Sequence, residues 1–309
     1  MDIFLQQILN GLVLGSVYAL VALGYTMVYG ILGLINFAHG EVLMVGAMVG
    51  LSAVLGLQQV APGVPAVVLL LACLAVAIPV CMALSVFIER VAYRPLRNAP
   101  RLAPLITAIG VSILLQTIAM IVWKPNPRVF PDLLPTAPIE MGGVFLAPKQ
   151  ALILAVAAIM MAGLMLLVNR TKLGRAMRAT AENPRIAGLM GVNANRVIAA
   201  TFMIGAALAA VAGVLVAMNY NIAQFSMGFI PGLKAFTAAV LGGIGNLAGA
   251  VVGGLLLGII ESLGAGYIGD LTGGFLGSHY QDIFAFAVLI VVLVFRPSGI
   301  MGERVADRA

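Results

Sequence analysis

Nine apolar runs punctuate this chain, near residues 3–35, 42–57, 64–88, 102–123, 150–168, 197–218, 235–245, 247–268 and 282–295. Lipid offers no partner for an exposed amide or carbonyl, so a helix that crosses it needs about 20 mostly apolar residues. With 62% hydrophobic and 9% charged residues, the whole chain lies outside the range of soluble globular domains. The expected fold is all-α, a polytopic membrane helical bundle in a single transmembrane domain, residues 1–309, with about eight or nine crossings, some by broken or re-entrant helices. The first run is long enough to be broken or tilted, and the seventh is too short to cross comfortably by itself.

The opening MDIFLQQILNGLVLG carries Asp2 and no Lys or Arg, so it lacks the cationic start of a secretory signal and reads as the first membrane helix. The net charge of +6 suggests nucleic acid only until the charges are located. Arg90, Arg94, Arg97 and Arg101 separate runs three and four. Arg170, Lys172, Arg175, Arg178, Arg185 and Arg196 separate runs five and six, and Arg296, Arg304 and Arg308 follow the last run. An alternating path puts all of these on one side, which the positive-inside rule makes cytoplasmic. Nucleic acid is therefore not the expected partner; the bilayer is. The N-terminus is outside if the first run crosses once and inside if it crosses twice. Cys73 and Cys81 share one apolar run and read as small core hydrophobes.

Gly11, Gly15 and Ala19 repeat at four-residue spacing, as do Gly205, Ala209 and Gly213, and then Gly245, Gly249 and Gly253. Such spacing lets helix backbones approach closely in lipid. The string GGIGNLAGAVVGG also holds G-x-G-x-x-A, but a dinucleotide turn needs a strand before it and an acidic residue after it, and neither is there.

Asn36, His39 and Glu41 interrupt strongly apolar sequence in GILGLINFAHGEVLMVG. Either they face a protein interior or water path, or they mark a turn at the interface. Two candidate ligands without a third make no metal site. LGLINFAHGEVLMVG (32–46) and LGGIGNLAGAVVGG (241–254) align weakly as a repeat. Transporters built from related halves place broken helices and the path at such positions, so Asn36, Phe37, His39 and Glu41 with Gly243, Gly245 and Asn246 are the path candidates. Lys234 and Glu261 are expected either to pair or, for Lys234, to snorkel.

In IERVAYRPLRNAPR, Pro95 and Pro100 stop helices and the arginines anchor topology. Residues 124–149 hold prolines at 125, 127, 131, 135, 138 and 148, a stiff non-helical loop expected on the periplasmic side, where it docks an external partner. The basic interval 170–196 is too long for a plain connection. Alanines favour helix and Asn183-Pro184 restarts it, which predicts two short helices, one continuing run five and one opening near Pro184 with Glu182 just before it. The chain has no G-x-x-x-x-G-K-[ST], so it binds no nucleotide through that motif. His-Glu-x-x-His and a Ser-His dyad are missing too, and no residue is assigned a catalytic role.

AENPRIAGLMGVN (181–193) resembles the cytoplasmic coupling loop of ABC importer membrane subunits. NFAHGE (36–41), ERVAYRPLR (89–97) and AFTAAVLGGIGNLAGAVVGG (235–254) are similar to the branched-chain amino acid permeases, specifically the H-type subunit. The resemblance covers nearly the whole chain. It implies an ABC importer permease fold in the bacterial inner membrane, with four kinds of association: a homologous second permease, two cytoplasmic ATPases, a periplasmic amino-acid-binding protein and lipid. No cofactor is expected in this chain, ATP-Mg being bound by the ATPases. Arg175, Arg178, Glu182, Pro184, Ala187 and Gly191 fall in the implied ATPase-coupling region. The same family carries amides, urea or other amino acids as alternative cargo, and an ion-coupled carrier is the rival outside it, for which Glu41 and Glu261 are the available carboxylates.

Overall fold

In the computed structural model, residues 2–97, 99–100, 102–135, 137–141, 143–273, 280–296 and 298–302 are described. Each apolar run falls on a helix of its own, those near 3–35, 64–88 and 235–245 overrunning one end of it by two or three residues. Helix α1 (Asp2–Leu32) is unbroken, so the first run crosses once. An extended connection leads to α2 (His39–Val60), and α3 (Ala66–Ile88) ends in a π-turn (Glu89–Tyr93) and a short 3-10 turn (Arg94–Leu96). Helices α4 (Leu102–Trp123) and α5 (Pro148–Arg170) follow, then α6 (Lys172–Glu182), α7 (Pro184–Leu189) and α8 (Ala194–Tyr220). The chain closes with α9 (Phe229–Gly242), α10 (Leu247–Leu271) and α11 (Gln281–Phe295). Among the described residues, seven helices are long and apolar enough to cross a membrane, and α9 and α11 are shorter apolar ones. At 14 residues α9 is about 21 Å long, less than a bilayer's hydrocarbon core.

Small residues set the central crossing. A Cβ on Gly11 would stand 2.6 Å from the Ile259 Cα, one on Gly15 2.8 Å from the Gly254 carbonyl oxygen, and one on Gly254 2.6 Å from the Ala19 Cα. Helices α1 and α10 therefore touch backbone to backbone, α1 along its Gly11–Gly15–Ala19 spacing and α10 along Gly254 and Gly258, whereas Gly249 and Gly253 of the spacing read in the sequence meet Gly242 and Ala238 of α9. Helices α3, α4, α5 and α11 form the periphery, with Ile106, Ile121, Ile159 and Val294 turned outward. Lipid solvates such faces as well as a core does.

The Gln6 side chain and the Phe145 backbone exchange two hydrogen bonds, so the α1 N-terminus shares a face with residues 124–147. That segment is non-helical, as its prolines require. It holds strand β1 (Arg128–Val129) and the hairpin β2 (Ile139–Met141) with β3 (Val144–Leu146), and β1 pairs with β4 (Ile222–Ala223). The interval 170–196 lies on the opposite face. Arg101, Arg304 and Arg308, counted above for topology, lie outside the described residues.

One local expectation is corrected. Helix α6 does not continue α5: Thr171 breaks the chain at φ −96° and ψ 163°, and its side chain caps α6 by accepting from the Gly174 amide. A capping hydroxyl restarts a helix as effectively as proline stops one. Helix α7 opens at Pro184 with Glu182 just before it, as expected; Glu182 is the last residue of α6, and Asn183 takes the cap, accepting from the Arg185 and Ile186 amides.

Candidate transport and coupling sites

Gly33, at φ +65°, ends α1, and the chain turns back to start α2 inside the bundle. A Cβ on Gly205 would lie 3.5 Å from the His39 ring, and Gly205 is 11 positions past Ala194, the first residue of α8, about 16 Å at 1.5 Å per residue. Helix α2 thus begins near mid-depth, as a re-entrant reading of Asn36 to Glu41 requires and an interfacial turn does not. Asn36 is 3% exposed and accepts from the Tyr93 hydroxyl at 2.8 Å. The His39 ring lies edge-on to Tyr25 with centroids 5.0 Å apart, in space that Gly24 leaves by having no side chain, and its Nε2 has no partner. Glu41 turns toward α4, where its Oε1 accepts from Ser112 at 3.2 Å and Gln116 at 2.7 Å while Oε2 has no partner. Buried polar atoms left bare are rare and costly, so His39 Nε2 and Glu41 Oε2 in the segment itself, with Thr26 Oγ1 on α1, mark the break as more than packing.

The second candidate segment is the turn between α9 and α10. Gly243 and Gly245 sit at φ +107° and +98°, conformations that side-chain-bearing residues rarely adopt. Asn246 caps α10 by accepting from Gly249 at 3.0 Å and donates to the Met301 carbonyl at 2.9 Å. Residues 300 and 301 also donate to the Leu241 and Gly242 carbonyls, which fastens the tail after α11 to this turn. The two segments meet: Tyr25, Thr26, Tyr29, Ile35, Phe236 and Ile244 line a recess of about 10 Å³, and the Phe37 ring packs tilted against Phe236 with centroids 5.5 Å apart. Glu41 and Asn246 do not reach it, since each is turned to another partner. The weak repeat therefore corresponds to two helix breaks that face each other.

Lys234 and Glu261 pair at 2.6 Å, and Lys234 is 4% exposed, which settles the choice against snorkelling. Lys234 also meets Asp282 at 2.6 Å, and Tyr18 hydrogen-bonds Glu261. This cluster ties α1, α9, α10 and α11. At the arginine-rich face, Glu89 is fully buried between Arg94, at 2.8 Å, and Arg97, and Arg97 goes on to Asn195. Neither Glu89 nor Tyr93 was singled out from sequence. The signal was available in the acidic residue that opens an otherwise basic string.

In the coupling region Arg175, Arg178, Glu182, Pro184 and Gly191 are exposed and Ala187 is 3% exposed. Arg178 has a structural task, because its guanidinium donates to the Val168 carbonyl near the end of α5. Gly191, at φ +82°, closes the turn after α7. Sequence reasoning missed the apolar side chains there: Ile186, Leu189 and Met190 are 58%, 87% and 81% exposed on a polar interval. Among the described residues no group of three His, Cys, Asp or Glu is placed to hold a metal ion.

Residues 7–293 match the family described as branched-chain amino acid transport system / permease component. The chain belongs to this family. It is 50% identical over 309 residues to the high-affinity branched-chain amino acid transport system permease protein BraD of Pseudomonas aeruginosa, covering 97% of this chain and 96% of that one. It is 46% identical over 305 residues to LivH of Escherichia coli, again covering 97% and 96%. A probable LivH of Methanocaldococcus jannaschii is 30% identical over 304 residues, covering 97% and 94%. Among solved structures, PsaBC from Streptococcus pneumoniae in complex with Fab is 16% identical with a TM-score of 0.44, over 96% of this chain and 91% of that one. Its relatives are permease components of transport systems, and this member is a multi-pass membrane protein of the all-α class.

Proposed function

We propose that this chain is the membrane permease of an ATP-driven importer for leucine, isoleucine and valine in the bacterial inner membrane. It works beside a homologous second permease, two cytoplasmic ATPases that bind the ATP-Mg, and a periplasmic binding protein. The single observation that carries the motor-driven reading is the face of α7. Ile186, Leu189 and Met190 stand free of the bundle on a segment too polar for lipid, and a short amphipathic helix with such anchors is built to enter a protein groove. Family membership supplies the class of cargo.

The mechanism follows from the connections of α7. Asn183 and the turn at Gly191 clamp it between α6 and α8, and α8 runs past His39 and carries Ala210, against which α2 packs through Gly46. ATP binding draws the motors together and displaces α7. The displacement passes through α8 to the start of α2, where Asn36 to Glu41 and the Gly243 to Asn246 turn meet. Nucleotide shifts the population between inward and outward access because the closed motors bind one arrangement better. Closed here to about 10 Å³, the recess must widen in the cycle to pass the substrate, and its aromatic and aliphatic walls suit a branched side chain while offering little to its charged groups.

The test is ATP hydrolysis by the reconstituted assembly with and without leucine-loaded binding protein, for wild type, Leu189→Asp and Met190→Asp. Both variants change only exposed side chains, and the expected result is loss of stimulated hydrolysis with the chain still assembled in the membrane. Uptake that needs no ATPase and ignores both variants would refute the proposal in favour of an ion-coupled carrier.

A further inference from the structure

On the face opposite the arginines, the ends of α5 and α8 and the segment after β1 enclose a cleft of about 200 Å³. Its apolar side is Leu133, Leu134 and Met218, of which Leu133 and Met218 are each 5% exposed. Its polar side is Lys149, Asn221 and Asp132. Lys149 Nζ donates to the Asn219 carbonyl at 3.1 Å and to Asn221 Oδ1 at 3.0 Å, both neutral acceptors. An ammonium has three protons, so one is left over. Among the described residues Lys149 has no ion pair, and neither has Asp132. The Asn221 amide stands between them, its Nδ2 donating to Asp132 Oδ1. Asn221 holds this place at φ +55°, a left-handed conformation, with its carbonyl accepting from Phe130 at 3.0 Å.

We infer that this cleft is an outer binding site for a zwitterionic amino acid with an aliphatic side chain. The ligand carboxylate takes the free proton of Lys149, its ammonium faces Asp132 one amide away, and its side chain lies on Leu133, Leu134 and Met218. Opposite charges separated by one amide match a ligand whose two charges sit on one carbon. An acidic side chain from a docking protein matches less well, because Asp132 would repel it at the same rim. The cleft sits on α5 and α8, whose other ends bound the interval carrying α7, so an occupied cleft rests on the two helices that frame the coupling segment. The inference rests on the importer reading for the identity of the ligand and names a place for it that the recess at the helix breaks does not cover.

The experiment is saturation-transfer NMR on the assembled permeases and ATPases in lipid nanodiscs, without binding protein and with empty nanodiscs as blank. The probes are L-leucine, 4-methylpentanoate (no ammonium), isoamylamine (no carboxylate) and L-glutamate. Leucine methyl signals are expected, with apparent affinity lower by about tenfold for either half-molecule, the loss of one charged hydrogen bond. Lys149→Met and Asp132→Asn should each reduce leucine binding similarly, while Lys149→Arg retains it. The half-molecules test the wild-type protein, so the inference stays exposed even if a variant folds poorly. Equal signals from leucine and isoamylamine, no leucine signal, or preference for glutamate overturns it, the last in favour of an acidic partner segment. Binding-protein-dependent uptake by the same assembly in sealed proteoliposomes keeps the two ideas apart: uptake without cleft binding sinks only the cleft, whereas an assembly that binds leucine but never takes it up with ATP sinks the importer.

Discussion

Replacing Lys234 should be among the most damaging single changes in the bundle, and a double-mutant cycle shows why. The Lys234 side chain is 5% exposed and Glu261 1%, with 2.6 Å between them. Lys234→Met removes the one described cation that meets Glu261 and leaves a carboxylate buried without compensation, at about 3–5 kcal/mol. That range lowers the folded-to-unfolded ratio by roughly two to four powers of ten. Glu261→Gln is milder, about 1–2 kcal/mol, because Lys234 keeps Asp282 at 2.6 Å and the amide still accepts from Tyr18. Asp282 is 41% exposed, so Asp282→Asn should cost under about 1 kcal/mol, water replacing much of what the ion pair supplied. The combination Lys234→Met with Glu261→Met puts apolar surface where both charges were and should be more stable than Lys234→Met alone. The assay is reversible unfolding in mixed micelles, followed by helical circular dichroism. A Lys234→Met cost below about 1 kcal/mol, or a Lys234→Met/Glu261→Met variant whose cost equals the sum of the Lys234→Met and Glu261→Met singles, would refute the view that burial makes these charges interdependent.

Gly258→Leu should prevent assembly of α1 on α10, since Gly258 faces the Gly11 and Gly15 backbone, and expression followed by size-exclusion in detergent reads it. Tyr93→Phe removes the 2.8 Å hydrogen bond to Asn36 and should cost about 1 kcal/mol in the same unfolding assay, with uptake falling more than stability predicts because the re-entrant segment loses its anchor. Asn183→Ala unties the cap of α7, a local loss of about 1 kcal/mol, and should weaken binding-protein-stimulated hydrolysis while leaving the bundle's unfolding unchanged.

The class of fold was legible because a bilayer demands long apolar helices and the runs announce themselves. The Gly11–Gly15–Ala19 spacing could be read as a packing face for the same reason: only absent side chains permit that approach. Which helix it meets could not be read, because Gly254 and Gly258 are no more marked in sequence than Gly205 and Gly213. Near Arg170 the error came from treating helix propensity as continuous, when Thr171 caps a new helix with its own side chain. The exposed Leu189 and Met190 look in sequence like any helix interior, and only the absence of a neighbour in space marks them as a surface.

By itself, then, the order of residues determined the membrane class, the side of the charges, the stiffness of the proline segment and the two places where helices break. These are local matters of hydropathy, charge and backbone freedom. Tertiary structure alone decided that α2 starts at mid-depth, that the breaks at Asn36 and Gly243 open on one recess, that Lys234 meets both Glu261 and Asp282, and that Lys149 and Asp132 line one cleft with the Asn221 amide between them. Each is a meeting of groups far apart along the chain, and such a meeting depends on how helices cross, which no local pattern encodes.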